Sequence, residues 1–359
     1  MEHRFGTGEP FSLGVEEELC LIAPDTGRLL NSAPEVLGRL AKPGAGEVEG
    51  EVLACQVELI TGVCETVAGA MAELQSLERA VLDTGVALLG SGTHPSAEEG
   101  DAQVNDKERY ELISSLLGDA VATPVSALHV HVGMPDPETA IRVFNGLRRH
   151  LPLLEALAAN SPFRHGRDTG LASAREITLR AWARSGAPRA FSDFADFEAA
   201  TDALTEVAEV PDYTFHWWKL RPHPQLGTVE IRALDVQAKP EHTAALVAAV
   251  QSLARHEADA DPVEGPPPEI LDEASFKAGR LGVVAALPDA DLRLRPVAAL
   301  LEEAMETARP RARELGCAEE LEGVTSLVGE GGGAGLQQVA HREGGMPGLL
   351  RALTRRLDG

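Results

Sequence analysis

Hydrophobic and polar residues alternate near the start of the chain, and this pattern predicts a β-strand at Phe11–Ile22. Its apolar residues share one face, while Glu16 and Glu18 share the other. At strand spacing the Cα atoms of these two glutamates lie about 6.5–7 Å apart, close enough for the carboxylates to share divalent cations. Glu17 falls on the apolar face, so we expect it to have a partner or to lie at a strand end. The simpler alternative is an edge strand with a solvated acidic face.

Three later segments show the same alternation of an apolar and a polar face. The predicted strands Val52–Ile60, Val125–Gly133 and Gly227–Val236 each have an apolar face. Their opposite faces carry polar pairs, namely Gln56 with Glu58, His129 with His131, and Glu230 with Arg232. The last strand is expected to pair with Phe215–Arg221 around an HPQLG turn. A sheet that packs on helices through its apolar face would gather the polar residues in one open concavity.

Helical periodicity follows or separates these strands. It predicts helices that begin at Thr66, at Pro137 after the capping residue Asp136, at Pro240 and at Pro296. The acidic, proline-rich segment Asp259–Glu269 reads equally well as a linker or as an internal loop. With 359 residues the chain can form one large α/β or α+β domain or two smaller ones.

Composition narrows the range of partners and compartments. The chain has 32 Lys and Arg against 56 Asp and Glu, a formal net charge of −24, which argues against nucleic acid or an anionic membrane as a partner. Its four cysteines show no metal-binding spacing, as expected of a reduced intracellular protein. No signal peptide or membrane-spanning run is recognisable, so we expect a cytoplasmic protein.

The polar groups of the concavity suggest a chemistry. A ligand set with a majority of oxygens favours Mg²⁺ or Mn²⁺, while the His129–His131 pair leaves a zinc site of the amidohydrolase kind as the alternative. Four cationic residues could hold phosphate oxygens: Arg175, Lys219, Arg221 and Arg232. Phosphoryl transfer fits such a site, although no P-loop motif is present. The glycine-rich segment Gly329–Gly335 is expected to be a flexible loop or a phosphate-binding nest.

Several longer motifs occur together in a recognisable order. They are GVEEE at Gly14–Glu18, VELITGVC at Val57–Cys64, GTHP at Gly92–Pro95, HVHVG at His129–Gly133, LAANSPFRHGRDTGLAS at Leu157–Ser173 and RPHPQLGTVEIRALDV at Arg221–Val236. From about Phe11 to Leu353 the chain resembles the bacterial carboxylate–amine ligases of the glutamate–cysteine ligase type 2 family.

The resemblance implies an α+β, glutamine-synthetase-like fold, in which a curved and mainly antiparallel sheet forms an active-site funnel flanked by helices. It implies one catalytic domain over residues 1–359 and ATP-dependent synthesis of a γ-glutamyl amide through an acyl phosphate. The expected partners are small molecules: ATP, glutamate or a similar acid, and an amine. A homodimer is left open.

Roles follow from the same motifs. The resemblance implies a site for Mg²⁺ or Mn²⁺ built from Glu16, Glu18, Glu58, His131 and Glu230. Arg232 is expected to bind the transferring phosphate, and it is assigned with Glu230 to catalysis. The residues expected to bind substrate or phosphate are Arg175, Arg221, His129 and Lys219.

The chain departs from the family pattern at Arg164, Leu171, Ala174 and Ala274. These positions belong to the parts expected to shape the substrate and amine pockets, so cysteine and other small amines both stay open as acceptors. The same departures leave a second class of function open, a non-catalytic protein that binds ATP or an amino acid.

Overall fold

Strands and helices alternate along the chain in the computed structural model, which describes residues 1–41, 44–261 and 265–357. The strands are β1 (Leu13–Ile22), β2 (Glu47–Gly50), β3 (Gln56–Ile60), β4 (Ala87–Leu89), β5 (Ala127–Gly133), β6 (Phe163–Arg164), β7 (Arg167–Asp168), β8 (Leu220–His223), β9 (Thr228–Asp235), β10 (Ala286–Pro288), β11 (Leu294–Pro296) and β12 (Thr354–Arg355). The helices are α1 (Ala33–Arg39), α2 (Val67–Leu82), α3 (Glu108–Leu117), α4 (Pro137–Ala158), α5 (Ala174–Leu179), α6 (Phe194–Val207), α7 (Pro240–Asp259), α8 (Pro268–Leu281), α9 (Val297–Leu315), α10 (Ala318–Gly329) and α11 (Gly332–Leu353).

A sheet of eight strands dominates the described residues. Its main path runs β12-β4-β1-β5-β9-β8, and β3 pairs with both β1 and β2. All of these pairings are antiparallel. The central strand β1 therefore has three neighbours, β3, β4 and β5, and the predicted α+β class with a mainly antiparallel sheet is confirmed.

One face of the sheet packs on helices. Leu19, Val130 and Ile231 are buried in one core together with apolar residues of α2, α4, α7, α9 and α10. Helix α4 begins as predicted, because Asp136 accepts a hydrogen bond from the backbone N–H of Thr139 at 2.8 Å and proline occupies the first turn. Helix burial against this face directs the polar strand positions the other way.

The opposite face is polar only at one end. Cys20 and Ile22, on the same side of β1 as Glu16 and Glu18, are buried against Leu349 and Leu353 of α11. The C-terminal helix thus covers the far half of this face and leaves the half that carries the glutamates beyond its cover. All four cysteines are free and buried.

Some local predictions differ from the structure. Strand β1 begins at Leu13 because Phe11 has a φ of 62°, outside the extended region. The predicted strand Val52–Ile60 forms only from Gln56 onward. The prediction of a flexible loop or nest at Gly329–Gly335 was wrong, because α10 ends at Gly329 and α11 begins at Gly332.

Two predicted loops fall partly on residues that the structure leaves out. In the candidate linker Asp259–Glu269, α7 reaches Asp259 and α8 begins at Pro268, while residues 262–264 lie outside the described residues. The proline and glycine residues of Lys42–Gly50 predict a second loop there, but this segment contains β2, and residues 42–43 lie outside the described residues. Among the helices that are described, none is both long enough and apolar enough to cross a membrane.

Candidate active site

Strand register brings the predicted polar residues together. Three cross-strand pairs are directly opposite each other: Glu16 with His129, Glu18 with Glu58, and His131 with Glu230. Side chains at directly opposed positions have Cβ atoms about 4.5–5.5 Å apart, which is within reach of a shared ligand. The polar residues expected to lie together therefore do so on β1, β3, β5 and β9.

His129 lies among three carboxylates. Its Nδ1 is 3.0 Å from Glu16 Oε2 and 3.6 Å from Glu58 Oε1, and its Nε2 is 3.7 Å from Glu18 Oε1. The ring is buried, with an exposed fraction of 3%. His129, predicted to bind substrate or phosphate, thus stands in the middle of the predicted metal ligands.

His131 has two ring nitrogens with different surroundings. Its Nδ1 is 2.9 Å from Thr228 Oγ1, a normal hydrogen bond. Its Nε2 is buried and makes no hydrogen bond of good geometry among the described residues, although Glu16 Oε1 is 3.2 Å and Glu230 Oε1 is 3.6 Å away. A buried nitrogen that faces two carboxylates in this way is suited to binding a metal ion.

Three groups of side chains bring potential ligand atoms within 4.8 Å of one another. They are Glu16, Glu58 and His129; Glu16, His131 and Glu230; and Glu18, Glu51 and Glu58. Because Glu16 and Glu58 each belong to two groups, the three form one continuous cluster. Carboxylate oxygens are the majority of its ligands, a composition suited to hard divalent cations.

Glu51 is the member that sequence reasoning missed. It directly follows β2, between the predicted loop Lys42–Gly50 and the predicted strand Val52–Ile60, although Glu47, Glu49 and Glu51 alternate with small or apolar residues as a strand does. Burial first, and then the charge of Glu18, raises the pKa of Glu51 to about 7. That alternation was the signal that could have found it.

The carboxylates of this cluster repel one another. Burial and then the charge of Glu16 raise the pKa of Glu58 well above its usual range. Raised carboxyl pKa values of this kind mean that the ionised forms lack sufficient positive charge nearby. A bound cation would supply that charge, so the electrostatics fit the same use as the geometry.

Two arginines stand at the other end of the cluster. Arg221 Nε is 2.5 Å from Glu230 Oε2, and Arg232 donates to Glu230 Oε1. Burial alone would raise the pKa of Glu230, but Arg221 and Arg232 outweigh it and hold this pKa well below its usual range. Arg221 also donates to the backbone oxygens of Thr214 and His216, at 3.4 and 3.2 Å. Arg232 is the more exposed of the two, with 21% of its side chain accessible against 7%.

Lys219 and Arg175 lie outside this cluster. Lys219 Nζ is 2.7 Å from Glu155 Oε1 and 2.5 Å from Glu176 Oε1, in a buried triad. Arg175 donates to the backbone oxygens of Arg232 at 2.9 Å and Ala233 at 3.3 Å. The structure therefore places both cations next to the strands that carry Arg221 and Arg232, with protein atoms as their partners.

Comparison with known families gives a clear result. The sequence model of the family described as glutamate-cysteine ligase family 2 (GCS2) matches residues 12–355. The chain belongs to this family. The resemblance drawn from the motifs is thereby confirmed, and so is the predicted class of enzyme, an ATP-dependent carboxylate–amine ligase.

Curated relatives within the GCS2 family cover nearly the whole chain. A protein of Rubrobacter xylanophilus named "Putative glutamate--cysteine ligase 2-1" is 40% identical over 343 residues, 93% of this chain and 91% of its own. A second protein of that organism, "Putative glutamate--cysteine ligase 2-3", is 39% identical over 362 residues, 98% of both chains.

Solved structures share the fold at much lower identity. A glutamate–cysteine ligase of Francisella tularensis, solved in complex with AMP, aligns with a TM-score of 0.74 at 15% identity, covering 96% of this chain and 88% of its own. A bifunctional glutathione synthetase of Pasteurella multocida aligns with a TM-score of 0.67 at 15% identity, covering 96% and 50%. At these identities the likeness shows the glutamine-synthetase-like fold.

The residues that depart from the GCS2 pattern lie near α5 and α8 rather than among the carboxylates. Ala174 begins α5 and Ala274 lies in α8, both buried, while Leu171 is partly exposed just before α5. Arg164 donates to Thr178 Oγ1 of α5 at 2.8 Å. The four positions predicted to depart from the family pattern thus lie around α5, which also carries Arg175 and Glu176.

Proposed function

We propose that this GCS2-family enzyme joins the γ-carboxylate of glutamate, or of a similar acid, to cysteine or another small amine. The observation that carries the proposal is the cluster of five glutamates and two histidines, which is partly open to solvent and has Arg232 at its edge. Such a cluster has no use in binding an apolar ligand, but it suits a cation-bound polyphosphate. The names of the curated relatives support glutamate and cysteine as the first substrates to test.

We propose that the three groups of the cluster hold Mg²⁺ or Mn²⁺. The fit rests on His131 Nε2, which has no hydrogen bond of good geometry in the described part of the chain, and on Glu51 and Glu58, whose pKa values are raised by burial and by neighbouring carboxylates. Bound divalent ions supply positive charge for the triphosphate and for the phosphoryl group in transfer. The acidic majority of ligands supports these ions over zinc.

The chemistry then proceeds in two displacements. An oxygen of the substrate carboxylate attacks the γ-phosphorus of ATP, ADP leaves, and an acyl phosphate forms. The nitrogen of the amine attacks the acyl carbon, loses a proton, and expels phosphate to give the amide. Arg232 is our candidate for binding the transferred phosphoryl oxygens, since it borders the cluster and keeps part of its guanidinium accessible.

Glu230 and Arg221 support that role. Glu230 accepts from both arginines, so it fixes the direction of the Arg232 side chain. Arg221 is held by Glu230 and by two backbone oxygens, which supports an orienting function. Substrate or phosphate binding by Arg175 and Arg221 stays a prediction, and each would have to exchange a protein partner to do so. For Lys219, which Glu155 and Glu176 hold in a buried triad, we now expect a structural role instead.

The direct test is ADP release from ATP, Mg²⁺ and glutamate, with cysteine compared with other amines and amino acids and the products identified by mass. A γ-glutamyl amide with release of ADP and phosphate supports the proposal. If ATP binds but no acid and amine pair yields ADP, the proposed reaction is wrong.

A charge-removal variant tests the cluster itself. Glu16→Gln takes one negative charge from two of the three ligand groups, so ADP release should fall to the level measured without enzyme. Glu47→Gln is the matched control, because Glu47 is exposed on β2 of the same sheet. Circular dichroism verifies the fold of both variants. Normal turnover by a folded Glu16→Gln variant would refute the role of the cluster.

A further inference from the structure

The unequal surroundings of the two His131 nitrogens assign a role to a neighbouring threonine. A neutral imidazole carries its proton on one nitrogen and a lone pair on the other. A ring that offers Nε2 to a cation must keep its proton on Nδ1, and this N–H then needs an acceptor. The atom in that position is Thr228 Oγ1, 2.9 Å from Nδ1.

We propose that Thr228 is a positioning residue for the metal cluster. Its hydroxyl oxygen accepts a hydrogen bond from His131 Nδ1–H, holds the ring in the Nδ1–H tautomer, and leaves the Nε2 lone pair directed at the space beside Glu16 and Glu230. The inference rests on the proposed function, since it concerns the cation that His131 would bind.

The opposite tautomer is incompatible with a cation at this ring. If Thr228 donated to Nδ1, the ring proton would be on Nε2, where Glu16 Oε1 at 3.2 Å and Glu230 Oε1 at 3.6 Å could accept it. That proton would occupy the lone pair that the cation needs. Ligation through Nε2 therefore requires the Nδ1–H form and an acceptor beside Nδ1.

The strands explain why Thr228 reaches this ring. Thr228 begins β9 and is opposite Gly133, two residues beyond His131 on β5, so it lies on a diagonal that long side chains span. Gly227 fixes where β9 begins: its φ is +70°, and a Cβ at this position would lie 2.5 Å from the backbone oxygen of Arg4. His223 packs edge-on against the His131 ring, with 5.7 Å between centroids.

Two variants of Thr228 separate its hydroxyl from its shape. Thr228→Val keeps the volume and removes the acceptor, whereas Thr228→Ser keeps the acceptor. Thr201→Val is the matched control, because Thr201 is a buried threonine of α6 whose hydroxyl has no partner in the described part of the chain. All variants are compared as full-length protein, with thermal unfolding as the check on folding.

The first readout is the tautomer, measured by ¹⁵N NMR of the imidazole nitrogens in Mg²⁺-bound protein on the alkaline side of the ring's titration. The His131 signal is the one lost in His131→Gln. We expect Nδ1–H in the natural protein, in Thr228→Ser and in Thr201→Val, and a mixed or Nε2–H form in Thr228→Val. An Nε2–H ring in the natural protein would overturn the inference.

The second readout is binding of Mn²⁺ alone, without nucleotide, titrated by electron paramagnetic resonance. We expect the Kd of Thr228→Val to rise by about 10–100-fold, as for loss of a hydrogen bond that orients a ligating histidine. Equal Mn²⁺ affinity and an unchanged tautomer in Thr228→Val would refute the role of Thr228. A natural protein that binds neither Mg²⁺ nor Mn²⁺ would instead refute the proposed metal site, and with it the ligand that Thr228 would position.

Discussion

Glu17 and Arg355 form a buried ion pair that joins the first strand of the sheet to the last. Arg355 Nη1 is 2.7 Å from Glu17 Oε2, and Arg355 Nη2 is 3.1 Å from Glu17 Oε1. Thr243 donates to the same carboxylate at 2.8 Å. Glu17 stands between Glu16 and Glu18 on β1 but points to the opposite face, so the pair fixes the strand from behind the site.

Removal of Arg355 should therefore destabilise the fold. In Arg355→Met the Glu17 carboxylate, only 2% exposed, loses its counter-charge, and breaking a buried pair in this way costs about 3–5 kcal/mol. Urea unfolding measures the loss. Arg356→Met is the control, because Arg356 is exposed and substitutions at such sites change stability by less than about 0.5 kcal/mol. Equal stabilities of the two variants would contradict the prediction.

The alternation of apolar and polar residues along the strands predicted most of the residues of this site. Glu16, Glu18, Glu58, His131 and Glu230 all occupy the polar face of a strand, and a period of two residues determines that face wherever the other side is buried. Pairing of the strands then gathers these side chains without any further information. The order of the sequence motifs indicated the family, and the family in turn indicated the expected fold.

What alternation could not supply is contact between distant or irregular segments. The partner of Glu17 is Arg355, 338 positions away along the chain, and no local pattern pairs them. Glu51 follows a short strand hidden within a glycine-rich segment. Lys219 is two residues before Arg221, so alternation places both on the same strand face. Its ammonium group nevertheless contacts Glu155 of α4 and Glu176 of α5, because these helices pack beside it.

A substitution of Lys219 tests whether this residue stabilises the fold or binds phosphate. Its ammonium is buried with Glu155 and Glu176, which outweigh the effect of burial and raise its pKa. Lys219→Met should cost about 3–5 kcal/mol of stability by leaving these carboxylates without their shared cation, with the KM for ATP within about twofold of normal. Lys239→Met removes an exposed lysine–glutamate pair and should cost about 0–1 kcal/mol. A raised KM at unchanged stability would instead support phosphate binding by Lys219.

His94 should make the fold sensitive to acid. Its buried ring accepts a hydrogen bond from the N–H of Ala97 at Nδ1, at 3.0 Å, while Nε2 is 2.8 Å from the backbone oxygen of Gly27. Burial lowers the pKa of His94 below its ordinary value of 6.5. The folded state therefore binds fewer protons than the unfolded state just below this pH, and stability falls as the pH drops.

The measurement is the free energy of unfolding at about pH 7.5 and about pH 5.5. His94→Gln cannot take up the proton, so it should lose less stability over this interval than the natural protein does. His3→Gln, at an exposed histidine, should follow the natural protein. Parallel pH profiles for His94→Gln and the natural protein would show that the ring does not contribute.

Gly333 should tolerate no side chain, because α11 contacts Asn160 at that point. A Cβ on Gly333 would lie 2.4 Å from Asn160 Oδ1, the atom that accepts a hydrogen bond from Gln337 at 2.8 Å. Gly333→Ala should therefore lower stability by about 1–3 kcal/mol, the usual cost of overpacking. Gly335→Ala in the same helix is the control, since its nearest neighbour would be 3.8 Å away and alanine favours a helix by up to about 1 kcal/mol. The midpoint of thermal unfolding should be higher for Gly335→Ala than for Gly333→Ala. Equal midpoints would mean that α11 can shift away from Asn160 at no cost in stability, which would contradict the prediction.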